Sequence, residues 1–512
     1  MTASSIRILC IPARLMHIYY TSHYNLMKTA LTFILLFVSL FAFTQQDSLH
    51  QKDVVVNVAD TAVDIRPRSP HGGLLKDDPQ YNPRRPVGIT LLRVTTTNVF
   101  NWALARYAFN YDWAKANPTT WKYNLKHGWE WDNDRFGINF IGHPHSGSNY
   151  FNVARSNGYS YWASLPFTVF GSAQWEWFGE NTRPSKNDLI NTPLSGAFLG
   201  EILYRISSNI LDDRTRGAER VWREILAGIV NPTRALNRFA QKKMFRHTPY
   251  EVYQKEPLNI TISAGIHKVN VDNRFWTGGT NAILNLQLDY GIPFEIRKRR
   301  PFDVFRLRLE GRYGDDKRII DNVLGYGLLA GKNIGHGRQG TLVGLFQQFD
   351  YWNNKVFEVG SLGFGPGILS RINLGRNSNL FSGWHLALVP IAGYNTKIGP
   401  DSSAFRDYPF GGGWEARIEE RLNIGKWLSL GFNGYYYWIF NYENSPGKSR
   451  IGIIKPSIAI RLFKNLSVGF EHHVYYDNHF IDDETFVHLV RTEQKLYLQL
   501  FIEDRKRGGK YY

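Results

Sequence analysis

The chain has 512 residues, a formal net charge of +17 at pH 7, an aromatic content of 15% and one cysteine, Cys10. Because that cysteine falls ahead of the export signal read below, thiol catalysis, cysteine-ligated metal and disulfides are excluded for the exported chain. The basic balance would suit nucleic acid, but export removes that partner, and acidic lipopolysaccharide or pairing inside a barrel accounts for the excess.

Residues 1–26 carry no targeting pattern and are expected to be an upstream extension. Met27-Lys28-Thr29-Ala30 then opens a largely apolar run from Leu31 to Phe43. One positive charge followed by about 13 apolar residues is the layout of a signal peptide, and about 20 would be needed to span a bilayer. Residues 27–44 are therefore expected to be a signal peptide cleaved near Ala42-Phe43-Thr44. No cysteine follows the apolar core, so a lipoprotein anchor is excluded. Residues 45–93, punctuated by Arg66-Pro67-Arg68-Ser69-Pro70 and Asn82-Pro83-Arg84-Arg85-Pro86, read as an extended linker.

Residues 94–250 read as a helical domain, with helices expected at 97–116, 118–130, 166–180, 193–210, 217–230 and 232–244. Three of those starts are marked by Asn117-Pro118, Thr192-Pro193 and Asn231-Pro232, since proline suits the first helical turn. The segment 166–180 is apolar but only about 22 Å long as a helix, against a hydrocarbon core of about 30 Å. It is expected to lie buried in protein or at an interface. Gly196 and Gly200, four apart, allow close approach of another helix. Glu201 with Arg205, and Arg220 with Glu224, read as surface ion pairs. Asp212-Asp213 is expected to end a helix in a turn.

The most reactive-looking stretch is Gly142 to Tyr150, which reads as a glycine-flanked loop holding His143, His145, Ser146 and Ser148. Glu176 and Glu180 share a helix face, and Asp188 follows. Folded together, His143 or His145 could act as base, Ser148 as nucleophile, and Glu176, Glu180 or Asp188 as the orienting acid. Alternatively Asp132, Asp134, His143 and His145 could ligate zinc or a similar ion through nitrogen and oxygen. Neither set carries a motif whose spacing dictates a mechanism. The competing structural reading is that these groups pair with one another at a helix–barrel contact. No cofactor is expected.

Residues 251–512 alternate with period 2 in segments of about ten residues, the length of a tilted membrane strand. Leu258, Ile260, Ile262, Ala264 and Ile266 share one face opposite Asn259, Thr261, Ser263, Gly265 and His267. Phe305, Leu307 and Leu309 alternate with Arg306, Arg308 and Glu310, which suits a lumen where opposite charges pair. Tight turns at 423–426 and 464–465, against long loops at 441–449 and 477–491, favour a membrane barrel over a soluble sandwich. The region 340–394 is the least clear because glycines blur the alternation. The fold class expected is α+β: a helical region followed by an antiparallel transmembrane β-barrel of about 12 strands.

The run His143-Pro144-x-Ser146-Gly147-Ser148-x-Tyr150, with Ala154-Arg155-x-x-Gly158, Ser172-x-x-Trp175-Glu176, Glu180, Ser185-x-x-Asp188, Gly200-Glu201 and Asn231-Pro232-x-Arg234, resembles a bacterial domain of unknown function, number 3943, over roughly residues 95–245. The resemblance implies a Gram-negative envelope protein of the Bacteroidetes type and carries no activity. The leading expectation is an outer-membrane barrel with a helical plug or periplasmic domain, serving envelope structure or solute passage. Its partners would be outer-membrane lipid and the barrel-assembly machinery. The alternatives are a hydrolase acting on envelope lipid or glycan, and an adhesion or assembly scaffold.

Overall fold

A computed structural model describes residues 74–314, 319–334, 339–375, 377–396, 408–442, 447–480 and 486–504. The expected extension, the signal peptide and most of the linker fall at 1–73, outside those residues.

The period-2 segments form twelve strands: β1 (Leu258–Val269), β2 (Thr280–Tyr290), β3 (Phe305–Tyr313), β4 (Ile320–Ile334), β5 (Gln339–Asn353), β6 (Phe357–Asn373), β7 (Asn379–Thr396), β8 (Phe410–Ile424), β9 (Leu428–Asn441), β10 (Lys448–Phe463), β11 (Leu466–Phe480) and β12 (Phe486–Ile502). Each pairs with the next, and β12 closes onto β1 with Leu500 opposite Ile262. Polar side chains such as Thr261, Ser263, Gln287 and Lys495 face the lumen. Ile454, Ile458, Ile460, Leu496, Leu498 and Leu500 stand exposed on the outside. An apolar girdle around a polar interior inverts the soluble arrangement and is that of a membrane barrel. The protein is an outer-membrane β-barrel, and a soluble sandwich is excluded.

The strands run further than the alternation suggests. The segment 477–491 was expected as a long loop, but β11 continues to Phe480 and β12 begins at Phe486. Backbone hydrogen bonding outlasts the hydrophobic pattern there, because polar side chains beyond the hydrocarbon still pair across strands. The glycine-blurred middle is β5 to β7, and part of its ambiguity has a physical cause. A Cβ on Gly360 or Gly393 would meet Phe140 at 2.3 or 2.7 Å, and in the neighbouring β4 one on Gly325 would meet Phe198 at 2.8 Å. These glycines are hollows in the outer wall that receive aromatic rings of the helical domain.

Both barrel termini lie at one end, where a vestibule of about 1240 Å³ is lined by Asn285, Gln287, Asn433, Ser457, Arg421 and the turn residue Lys426. A charged layer follows. Arg306 pairs with Asp289 and Glu419, each at 2.5 Å, Lys495 with Glu310 and Glu493, and Arg417 with Asp350. Toward the far end the lumen is filled by Trp352, Tyr394, Tyr435, Tyr437, Tyr475, Ile451, Ile453 and their neighbours, all almost wholly buried.

The helical domain contains α1 (Val87–Ala103), α2 (Pro118–Lys126), α3 (His143–Ser156), α4 (Tyr161–Phe178), α5 (Lys186–Ile210), α6 (Gly217–Val230) and α7 (Pro232–Ala240). Asn117 and Asn231 cap α2 and α7 as their sequence signatures imply. Three expectations are corrected. The expected linker already contains α1 from Val87. The supposed loop at 142–150 is the first half of α3, with Pro144 tolerated in its first turn. Helix α5 starts at Lys186, capped by Ser185, so Pro193 lies inside it rather than at its start. Helices α3 and α5 cross almost backbone to backbone: a Cβ on Gly147 would lie 1.8 Å from the Thr192 carbonyl oxygen, and one on Gly196 would lie 2.4 Å from Gly147. Glu201 is fully buried, not on the surface, and accepts hydrogen bonds from Arg155 (2.6 Å) and Arg205 (2.8 Å).

The bundle occupies neither of the two expected places. It packs on the outer wall of the barrel, against β3 to β8, and not in the lumen or beneath the rim. Phe198 stacks on outward-facing Phe349, and Phe136 on Tyr351. Tyr161 donates to Gln347, whose amide in turn donates to the Leu194 carbonyl. A glutamine facing lipid would leave its amide unsatisfied, and the helices remove that cost.

Candidate functional site

Three elements bring acidic and imidazole groups together at the far end of the bundle. Asp132 comes from the segment between α2 and α3, His143 opens α3, and Asp188 sits in the first turn of α5. Their nearest donor atoms all lie within 4.8 Å of one another. His143 Nε2 stands 3.4 Å from Asp188 Oδ1 and 3.6 Å from Asp134 Oδ2, and this buried nitrogen makes no hydrogen bond.

A shell of amides fixes the carboxylates. Asn187 Nδ2 donates to Asp132 Oδ2 (2.7 Å) and to Asn139 Oδ1 (3.0 Å). Asn139 Nδ2 donates to Asp132 Oδ1 (3.0 Å) and to the Tyr408 hydroxyl (2.9 Å), which ties the centre to the barrel's β7–β8 connection. Ser185 Oγ donates to Asp132 Oδ2 at 3.2 Å. Such partners hold ligand groups in one orientation. The Asp134 side chain is 48% exposed, so the centre meets the surroundings beside it.

Burial by itself would pull the His143 imidazole down. The carboxylates of Asp188, Asp134 and Asp132 outweigh burial and hold it well above the usual histidine value. Burial pushes the Asp132 carboxyl up, but the Asn187 and Asn139 amides and the charge on His143 leave it below the usual range, while burial holds the Asp188 carboxyl well above it. The centre therefore stores an imidazolium against an ionised carboxylate when nothing else is bound.

Of the candidates read from the sequence, His143, Asp132, Asp134 and Asp188 meet. Glu176 lies beside them and accepts the Ser185 N–H at 2.7 Å. Glu180 turns away and accepts from Trp175 Nε1 and Thr182 Oγ1. Ser148 is five residues along α3 from His143, about 140° round the helix, and its Oγ donates to the His145 carbonyl at 2.7 Å. His145 is exposed and about 160° round from His143. A serine nucleophile paired with His143 is thus not assembled. Asn139, Asn187 and Tyr408 complete the centre without any signal in the sequence, and Ser185 stood out only through its Ser185-x-x-Asp188 spacing.

The donor set suits a cation. Zinc bonds of about 2.0–2.1 Å in a tetrahedral site imply ligand-to-ligand edges of about 3.3 Å. The 3.4 Å between His143 Nε2 and Asp188 Oδ1 is close to that, and Asp132 brings an oxygen within 4.8 Å of both. Nitrogen and carboxylate donors also accept manganese or iron.

Residues 128–233 match the profile of a domain of unknown function, DUF3943, which encloses the whole centre except Tyr408. No curated protein matches the chain. Solved structures similar to the barrel include the NanC porin, 10% identical with a TM-score of 0.26, covering 48% of this chain and 98% of that one. The outer membrane phospholipase A from Escherichia coli is 10% identical with a TM-score of 0.25, covering 48% and 93%. OmpT of Vibrio cholerae is 5% identical with a TM-score of 0.21, covering 48% and 96%. At such scores the barrel assignment rests on the closed sheet and its two faces.

Proposed function

We propose that this outer-membrane barrel is a non-conducting frame for its helical domain, and that the domain works through a divalent cation held by Asp132, His143 and Asp188. The observation that carries the first part is the filled far half of the lumen, where close-packed aromatic and aliphatic side chains succeed the charged layer. A diffusion pore needs a continuous aqueous path, and a lumen filled by such side chains offers none. Insertion by the barrel-assembly machinery belongs to the same reading. In planar bilayers the purified protein is expected to give no steady conductance beside a porin control. Stable channels would return solute passage as the function.

The second part is supported by the convergence of donors on an imidazole nitrogen that lacks a hydrogen bond, together with the amide shell around Asp132. With Ser148 elsewhere, any hydrolysis of envelope lipid or glycan at this centre would use water activated by the cation and not a serine. Protein purified from outer membranes, then desalted, should carry a stoichiometric divalent metal by mass spectrometry. His143→Ala and Asp188→Asn should lose it, and His145→Ala should keep it. Wild-type protein that stays metal-free after loading with zinc, manganese or iron would refute the cation.

A further inference from the structure

We propose that the helical domain is itself immersed in the outer membrane, with acyl chains against α1 and α4 and with α6 and α7 lying in the headgroup region of the periplasmic leaflet. This rests on the membrane placement of the barrel and is independent of the cation.

The height of the bundle is fixed by contacts at both ends of the wall. At the far end Trp131 stacks on Phe410 at the start of β8, and Lys186 lies over that indole. At the terminal end Arg205 pairs with Asp303 at 3.1 Å, and Asn209 Nδ2 donates to the Glu256 carbonyl at 2.8 Å, just before β1. Lys186 opens α5 and Asn209 stands one residue before its end, and the 25 residues of this helix extend about 37 Å, more than the roughly 30 Å of a hydrocarbon core. The bundle therefore lies at the same height as the girdle that the other strands present to lipid, and its outer surface continues that girdle.

The composition of that surface agrees. The exposed large side chains of α1 and its continuation, Leu104–Ala108, are Val87, Ile89, Leu92, Val99, Phe100, Leu104 and Tyr107. Those of α4 are Trp162, Val169, Phe170 and Phe178. No charged residue is exposed on either helix, and Thr96 satisfies its hydroxyl on the Leu92 carbonyl. Between the two ends of the bundle buried charges pair with one another, as Glu201 does with Arg155 and Arg205, which is how intramembrane charge is tolerated. No helix among the described residues is long and apolar enough to cross a membrane alone. The barrel wall supplies the missing cover: α5, polar and almost wholly buried, is shielded by the strands on one side and by α3 and α4 on the other. At the terminal end α6 and α7 expose Trp222, Ile225, Leu236 and Phe239 while burying Arg220 and Arg238, the character of helices at an interface.

The test uses full-length protein with C10S as background and single cysteines at Leu92, Val169, Leu386 and Lys426, each carrying a small fluorophore. Leu386 is an exposed position on the barrel wall and Lys426 an exposed turn position. In phosphatidylcholine vesicles with brominated acyl chains, labels at Leu92 and Val169 are expected to lose as much fluorescence as the label at Leu386, while that at Lys426 is spared. Heat-modifiable gel mobility of each variant verifies the folded barrel. Bundle labels that behave like Lys426 would put the domain in water and overturn the proposal. Unquenched labels at positions whose unlabelled cysteines resist polar thiol reagents would overturn it too, in favour of a second protein surface covering the face.

Discussion

His143 is the residue on which the candidate centre turns, and its protonation has a measurable consequence. Its folded value is raised by Asp188, Asp134 and Asp132. Folding therefore favours the imidazolium, and the stability this contributes is fully present below the usual histidine value of about 6.5 and lost as pH rises through the folded value. Metal-stripped wild-type protein is expected to melt at lower temperature as pH goes from about 6 to 9, and His143→Gln should show a flatter profile. Parallel profiles would show that folding does not raise the His143 imidazole above its unfolded value. His143 and Asp188 were legible in the sequence as residue types able to do chemistry. Their partners were not: the amides of Asn139 and Asn187 reach Asp132 only through the folding of three elements, and Ser148 lost its place because the stretch is a helix whose period turns it away. Asp213 is a further case. Read as a helix terminator, it is buried and accepts charge from Arg220, Arg238 and Arg246 at 2.9, 3.1 and 2.6 Å.

Helix α5 owes its position to the crossing with α3, and that crossing depends on absent side chains. Adding a methyl at Gly196 would drive a carbon into the Gly147 backbone, which cannot swing aside as a side-chain tip could. Gly196→Ala is expected to destabilise the bundle by about 1–3 kcal/mol, despite alanine's better helix propensity. Gly88→Ala in α1, where nothing lies within 4 Å, should be neutral or slightly stabilising. Equal thermal shifts for the two variants would contradict the close crossing. The Gly196–Gly200 spacing was legible as a site of close approach because it is local. The strands were legible for the same reason, since alternation is written along the chain. Helix α3 was not, because glycine, proline and serine dominate its first turns and favour a loop reading until the Gly147 crossing shows why such small residues are needed. The middle strands were obscured in part by glycines that receive Phe140, a residue more than two hundred positions upstream.

The whole molecule places its helices where no local pattern could announce them. Barrel and helical domain were each legible, and their mutual arrangement was not, because it is encoded in hollows and in an outward glutamine scattered over several strands. The arrangement bears on how the molecule can be put together. The wall that carries the bundle is built from β3 to β8, whereas the ring closes where β12 meets β1. The seam is thus made from strands outside the docking wall. Ring closure and helix docking use different edges of the sheet, so the last strand can join the first without displacing a helix, and the bundle can settle on its wall before or after the ring is complete.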